Sequence, residues 1–370
     1  MHLGKFHYAI STLSNQFTIP DVGSKIQAVI QQLDSLAANP GHPNIAAAFK
    51  ENLEALRKHL GSSTLNKPYP TLAALLDSIG ARKYVGDELF QQVENVISEN
   101  GMTPQLAATA LRKLLADVTE FYLAVEGIDI AFTKLEVEYE RLEPGQGEIG
   151  ISIPEPVGER LLTTLADTAK AWDKALRPFV ELADPEHNPI AVRTISSSDW
   201  QFYLTAATGV YLAFSGAVGR LNELLIKLIE TKKLLIQLTG IGVSANAIAT
   251  VAAESDAMLD VETRKLGEKI VEENLPTDPG RANELKTAMT ASLKFMARQM
   301  AENVKIEVRY LPPKPPKTDV PSDQQLEDAT NRVEELTELA AQVERNMDIV
   351  RLDDSAREIL NLPAPEEEIE

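Results

Sequence analysis

The chain of 370 residues contains no cysteine, which excludes disulfides, thiolate nucleophiles and thiolate metal sites together. Aromatic residues make up only 5%, so its core is expected to be built from Leu, Ile, Val and Ala. Positive charge is scarce: 36 Lys and Arg stand against 55 Asp and Glu, a formal net charge of −19. So acidic a surface repels phosphate backbones, which argues against non-specific nucleic-acid binding. Anionic lipid is disfavoured for the same reason, except at a local basic patch. The five histidines, His2, His7, His42, His59 and His187, are scattered, and none has the short spacing of a helical metal pair. The start of the chain, Met1, His2, Leu3, Gly4, Lys5, lacks the apolar stretch and small-residue cleavage site of a secretory signal, so a cytoplasmic location is expected.

Charge is missing altogether from two stretches of twenty residues, Trp200 to Gly219 and Leu234 to Ala253, which flank the charged segment Arg220 to Lys233. Twenty uncharged residues is about the length of a helical bilayer span. A buried helix of a large domain has the same composition. Gln201, Gln237, Asn246 and many Thr, Ser, Gly and Ala residues leave both runs only moderately apolar, which favours a core role over insertion.

What is present is mostly helical periodicity. Between about residues 21 and 127 apolar residues recur every three or four positions, as in Ile26, Ile30, Leu33 and Leu36, then Ile45, Phe49, Leu53, Leu56 and Leu60, the pattern of a bundle of about five helices. Asn39, Pro40 and Gly41 end one helix, and Thr103 and Pro104 open another, proline being suited to the first helical position. The period then changes to two. Leu135, Val137 and Tyr139 alternate with Glu136, Glu138 and Glu140, and Ile149, Ile151 and Ile153 alternate again after a Pro- and Gly-containing segment, a hairpin signal. Further alternating runs lie at Ile190 to Ile195, Trp200 to Leu204 and Val304 to Tyr310, with helical patterns at about 155–182, 207–238, 243–274 and 280–302. The expectation is an α+β fold, predominantly helical, with an antiparallel sheet of about five short strands carrying long helices on one face. The expected organisation is a helical bundle over 1–130, an α+β unit over 131–311, a proline-rich linker over 312–321, a heptad helix over 322–352 and an acidic tail over 353–370.

No motif for catalysis, metal or nucleotide binding stands out, so no cofactor is expected and a non-enzymatic role is favoured, with an enzyme built from distant residues as a third option. Gly240 to Ala245 matches G-x-G-x-x-A, but a dinucleotide site needs a strand feeding that turn, and the leucines before it have helical spacing. Glu136, Glu138 and Glu140, with Glu148 opposite, would line one face of a hairpin; such carboxylates can hold Ca²⁺ or simply form a solvated face, and the second is simpler. Ser196 to Asp199 reads as a turn between strands. Met289, Leu293, Met296 and Met300 form a helical stripe, core packing first and an adaptable groove second.

The segments Pro70–Asp87 (PTLAALLDSIGARKYVGD), Gly147–Val157 (GEIGISIPEPV) and Val192–Leu204 (VRTISSSDWQFYL) together resemble a group of bacterial proteins without an assigned function. The resemblance covers roughly residues 20–240. It implies a bacterial protein with a helical N-terminal unit and an α+β centre, and it brings no catalytic residue.

The strongest functional signal lies beyond the proline spacer. Residues 322–370 carry fifteen acidic and four basic side chains. Within them Ala329, Val333, Leu336, Ala340, Val343, Met347 and Val350 are spaced alternately by four and three, the seam of a coiled coil. About three heptads are too short to be stable alone. The expected function is therefore interaction: self-assembly, or docking on a protein partner with a basic surface, through this helix. The alternative is a membrane-active effector that inserts 200–219 and 234–253 as a helical hairpin.

Overall fold

The computed structural model describes residues 3–18, 22–101, 103–154, 161–184, 186, 188–196, 200–240, 245–273, 279–315 and 323–347. The chain divides into two compact units, Met1–Arg141 and Leu142–Glu370.

The first unit is helical: α1 (Leu3–Thr18), α2 (Val22–Ala38), α3 (Pro43–Gly61), α4 (Pro70–Ser78), α5 (Gly86–Glu99) and α6 (Pro104–Lys134). The helices α3, α4 and α6 each begin with proline at the first turn, where its missing N–H has no intrahelical partner to lose. Thr103 sits at the N-cap of α6 but makes no side-chain cap bond. The i, i+3, i+4 leucines and isoleucines converge on one core that includes Ile10, Leu13, Ile26, Ile30, Leu56, Leu76, Leu89 and Leu111. Between α3 and α5 the Asn66 amide acts as a clasp. Its Nδ2 donates to Leu60 O at 2.9 Å, and its Oδ1 accepts from Asp87 N at 2.7 Å. Gly86 takes a left-handed φ of 52° beside it, and a Cβ there would overlap Asn66 Oδ1 at 1.7 Å.

The strand expected at Leu135–Glu140 does not form. These residues leave α6 as irregular chain, with Glu136 at a positive φ of 54°. The reason is competition for sheet edges. Strand β1 (Gly147–Ile153), its supposed hairpin partner, already has neighbours on both sides, and a strand without a ladder partner leaves its backbone groups unpaired. The sheet accordingly has four strands among the described residues, β1 together with β2 (Ala191–Ser196), β3 (Trp200–Thr205) and β4 (Lys305–Tyr310), in the antiparallel order β2-β3-β1-β4.

Pleat alternation then assigns the faces. Ile149 stands opposite Leu204 and Val308, and Ile151 opposite Phe202 and Ile306. These six side chains share one core with α7 (Leu162–Ala183), α8 (Thr208–Gly240), α9 (Ala245–Glu273), α10 (Pro279–Ala301) and α11 (Asp323–Met347). Trp172 of α7 meets Phe295 of α10 edge-on at 5.1 Å, and Phe179 meets Phe214 of α8 at 5.2 Å. The methionine stripe Met289, Leu293, Met296 and Met300 is wholly buried in this core. The fold is α+β and predominantly helical.

The first uncharged run is not one span: Trp200–Thr205 is a strand, and α8 begins at Thr208. No helix among the described residues is long and apolar enough to cross a membrane. Residues 241–244, which include most of the G-x-G-x-x-A match, lie outside the described residues. A helix, α8, leads into them where a dinucleotide site requires a strand.

Candidate interaction surface

Helix α11 follows a chain stretch rich in proline and packs within the second unit. Its anchor is Val343, 1% exposed and part of the core, with Leu339 and Met347 packed partly buried against that core. On the same side Asn346 Nδ2 donates to Ser215 Oγ of α8 at 3.1 Å, and Ser215 Oγ donates to Leu212 O at 3.0 Å. Leu339 is not a seam position. At about 100° per residue, Leu339 and Val333 fall on opposite sides of Val343 around the helix, about 40° and about 80° away. The body holds Val343 with Leu339 about 40° to one side and the seam residue Met347 about 40° to the other, and α11 meets both α8 and β4.

The remaining seam residues are placed as follows. Ala329, Val333, Leu336 and Ala340 are half-buried and do not belong to the unit's core. Val350 lies outside the described residues. The rim beside them is charged and exposed, including Glu334, Glu335, Glu338 and Arg345, the last two paired at 2.9 Å. Of the six described seam residues, Val343 and Met347 form an anchoring end, and the half-buried Ala329, Val333, Leu336 and Ala340 form a partly exposed strip nearer the helix start.

Beside the anchor lies a half-open groove of about 640 Å³. Small residues of α8, Gly209, Ala213 and Gly216, line it together with Arg220, which faces Glu273 at 3.9 Å. That pair is exposed on both sides and adds little. A second cavity, of about 300 Å³, lies within the first unit between α3 and α5, lined by His59, Ser62, Tyr84 and Tyr122 among others. Burial pushes the Tyr122 phenol well above its ordinary range, so it stays a neutral hydrogen-bonding group.

The carboxylate cluster expected at Glu136, Glu138, Glu140 and Glu148 is not assembled. Glu136 and Glu138 are exposed on irregular chain, whereas Glu148 is 2% exposed on β1. Its buried neighbour is one that sequence reasoning passed over, Glu307 of β4, 3% exposed. Both project from the face opposite the apolar core, because Glu148 pairs with Arg309 and Gly150 with Glu307 in the register. A Cβ on Gly150 would come within 2.5 Å of Glu307 Cγ, so the glycine makes room for the Glu307 chain to lie flat. On the same face Tyr203 Oη donates to Gln201 Oε1 at 3.0 Å, and Arg193 approaches Glu148 at 3.8 Å. The glycine inside a strand was the signal available in the sequence, since such glycines mark a close approach. The arrangement is a buried polar network with a charge partner for Glu148. Among the described residues no group of three or more His, Asp or Glu is placed to hold a metal ion.

Next to this network Tyr211 of α8 lies flat on Gly147, where a Cβ would meet its ring at 2.3 Å. Burial raises the Tyr211 phenol above its ordinary value, and the Glu148 charge raises it further, against the lowering effect of the Ala206 N–H, which donates to Tyr211 Oη at 2.9 Å. Of the histidines, His2 and His187 lie outside the described residues, His42 precedes α3, His59 lines the smaller cavity and His7 is buried in the first unit. Ser197 to Asp199 lie outside the described residues.

No protein-family model, no curated protein and no solved structure matches this chain.

Proposed function

We propose that this is a non-enzymatic interaction protein that presents the open strip of α11, Ala329, Val333, Leu336 and Ala340, either to a second copy or to a protein partner with a basic surface. The observation that supports the reading is the division of α11 itself. A 25-residue helix is tethered by Leu339, Val343 and Met347 near its end, while seam residues one to four turns earlier remain outside the core. An amphipathic helix gains most of its stability from burying its apolar face, so the open strip is suited to a partner. The acidic rim sets what that partner is. Like charge opposes two copies at low salt, whereas a basic partner is drawn in and its association hastened. With no cysteine and an acidic surface, the proposed setting is the bacterial cytoplasm.

The test is the mass of the full-length protein in solution, measured by light scattering at low and high salt, for the wild type and for Val333→Asp with Leu336→Asp. Self-assembly predicts a multimer that strengthens with salt and is lost in the double variant, because a charge placed in a buried seam must be desolvated without a partner. A basic partner predicts a monomer whose complex with that partner weakens with salt and fails in the same variant. A stable multimer with identical mass in wild type and variant at both salt concentrations would place the assembly surface elsewhere and overturn the reading.

A further inference from the structure

The second half of α6 carries an apolar face in contact with solvent. Leu123 and Ile130 are 62% and 48% exposed, and Ala124, Gly127 and Ala131 between and beside them are exposed as well. At about 100° per residue, the other four lie within about 60° of Gly127 around the helix. Val118, Tyr122 and Val125, which α6 buries in the core of the first unit, point about 140–180° away from it. The helix therefore has two apolar faces, and its unit covers one of them.

Gly127 is the residue that its own unit does not explain. A glycine in a helix interior is destabilising relative to alanine. Gly127 is not among the glycines with a positive φ, and an added Cβ would meet nothing within 4 Å. Neither backbone conformation nor packing inside the unit calls for it. A close approach by another backbone from outside does.

The residues on either side of Gly127 form a palindrome of complementary types. Three positions away stand Ala124 and Ile130, four away Leu123 and Ala131, and seven away the exposed Glu120 and Lys134. Two antiparallel copies related by a two-fold axis at Gly127 bring each residue opposite the one at the mirrored position, because such an interface is self-complementary. Leu123 then fills the space over Ala131 of the other copy, and Ile130 the space over Ala124. The glycines meet at the axis, and Glu120 faces Lys134 at both ends. Large meets small and acid meets base in every pair. A parallel pair would instead set Leu123 on Leu123 and Glu120 on Glu120.

We propose that this face of α6 is a contact between two copies of the chain, packed antiparallel and crossing at Gly127. From Glu120 to Lys134 it is about 21 Å long and about 10 Å wide, well below the roughly 800 Å² per partner of a standard interface. The dimer is accordingly a weak one that forms at high protein concentration and dissociates on dilution. This surface belongs to the first unit and goes beyond the reading of α11, on which it does not depend.

The experiment is disulfide trapping in the full-length chain, which has no cysteine of its own. Gly127→Cys places the two thiols at the axis. Helix axes about 8–10 Å apart, with each Cα about 2.3 Å from its own axis, put the two Cα atoms within reach of the roughly 4.4–6.8 Å that a disulfide spans. Leu106→Cys, at an exposed position of the same helix outside the contact, is the control for chance collision. Under mild oxidation the Gly127→Cys protein is expected to form covalent dimer about tenfold or more faster than the control, because the paired thiols react as if linked. Adding either Glu120→Lys or Lys134→Glu is expected to slow the reaction about tenfold, since like charges then stand opposite at both ends. Mixing those two variants restores it, because every Lys again faces a Glu. The readout at position 127 does not report on α11, so failure of either proposal is seen separately. Crosslinking no faster than the control overturns this one, and so does a mixture as slow as its two components. If Gly127→Cys is also slow to react with a small thiol reagent, the face is covered by the chain's own second unit, which overturns the dimer as well.

Discussion

Helices α8 and α11 belong to the same unit and are both long, 33 and 25 residues, yet they relate to the core in opposite ways. The first half of α8 is apolar on nearly every side: Val210, Phe214, Ala217, Val218, Leu221 and Leu225 are all buried, and the sheet, α7, α9, α10 and α11 meet it from different directions. Helix α11 has one narrow apolar stripe on a charged cylinder, and within it only Val343 is fully buried among the described residues. The difference shows that a helix apolar all round has no choice but the centre of a fold, whereas a striped helix requires a partner without specifying which.

The sharpest way to break this contrast is to place a charge in each helix. Phe214→Asp removes a ring packed edge-on against Phe179 and leaves a buried charge without a counter-ion. It is expected to cost about 4 kcal/mol or more and to unfold the second unit, read by chemical denaturation. Val343→Asp strikes the anchor of α11, and a loss of about 3 kcal/mol is expected. Equal losses at Phe214 and Leu336 would show instead that the whole stripe of α11 is core.

A smaller effect tests how tightly α8 meets the sheet. Gly147→Ala puts a methyl where the Tyr211 ring lies, and an overpacking cost of about 1–3 kcal/mol is expected. The same change at Gly127, where nothing lies within 4 Å of an added Cβ, is expected to be neutral or slightly stabilising by helix propensity, within about 1 kcal/mol. Asn346→Ala removes the single polar tie from α11 to Ser215; a loss of about 1 kcal/mol by thermal melting is expected. Leu336→Asp is expected to cost about 1 kcal/mol, less than at Val343 because Leu336 is only half-buried, while impairing partner binding or assembly, which separates the strip from the anchor.

Most helices were legible because the signal for each lies within its own segment, although α1 (Leu3–Thr18) precedes the stretch over which helical spacing was read. Spacing at three and four placed α2, α3 and α7 to α11, and the turn residues Asn39 to Gly41 and Pro104 bounded their neighbours. The methionine stripe of α10 read as core and is core. Strands were less legible. The alternation at Leu135–Tyr139 is as regular as that at Ile149–Ile153, but only the second is a strand, since β3 and β4 occupy both edges of β1. The Glu148 and Glu307 network was hidden for a related reason. Alternation states that a residue is on the polar face; it does not state that the polar face is covered.

Taken by itself, the sequence determined a predominantly helical α+β chain with an aliphatic core, an acidic surface and one helix of amphipathic seam, because composition and local period are properties of each segment alone. Tertiary structure decided which edges β1 shares, which side of α11 is held by Leu339 and Val343, that Glu148 neighbours Glu307, and that His7 stands between Val137 and Asp129. Each of these is a contact between residues distant in the chain. Distant segments compete for the same edge, groove or lone pair, and no segment carries the record of that competition within its own period.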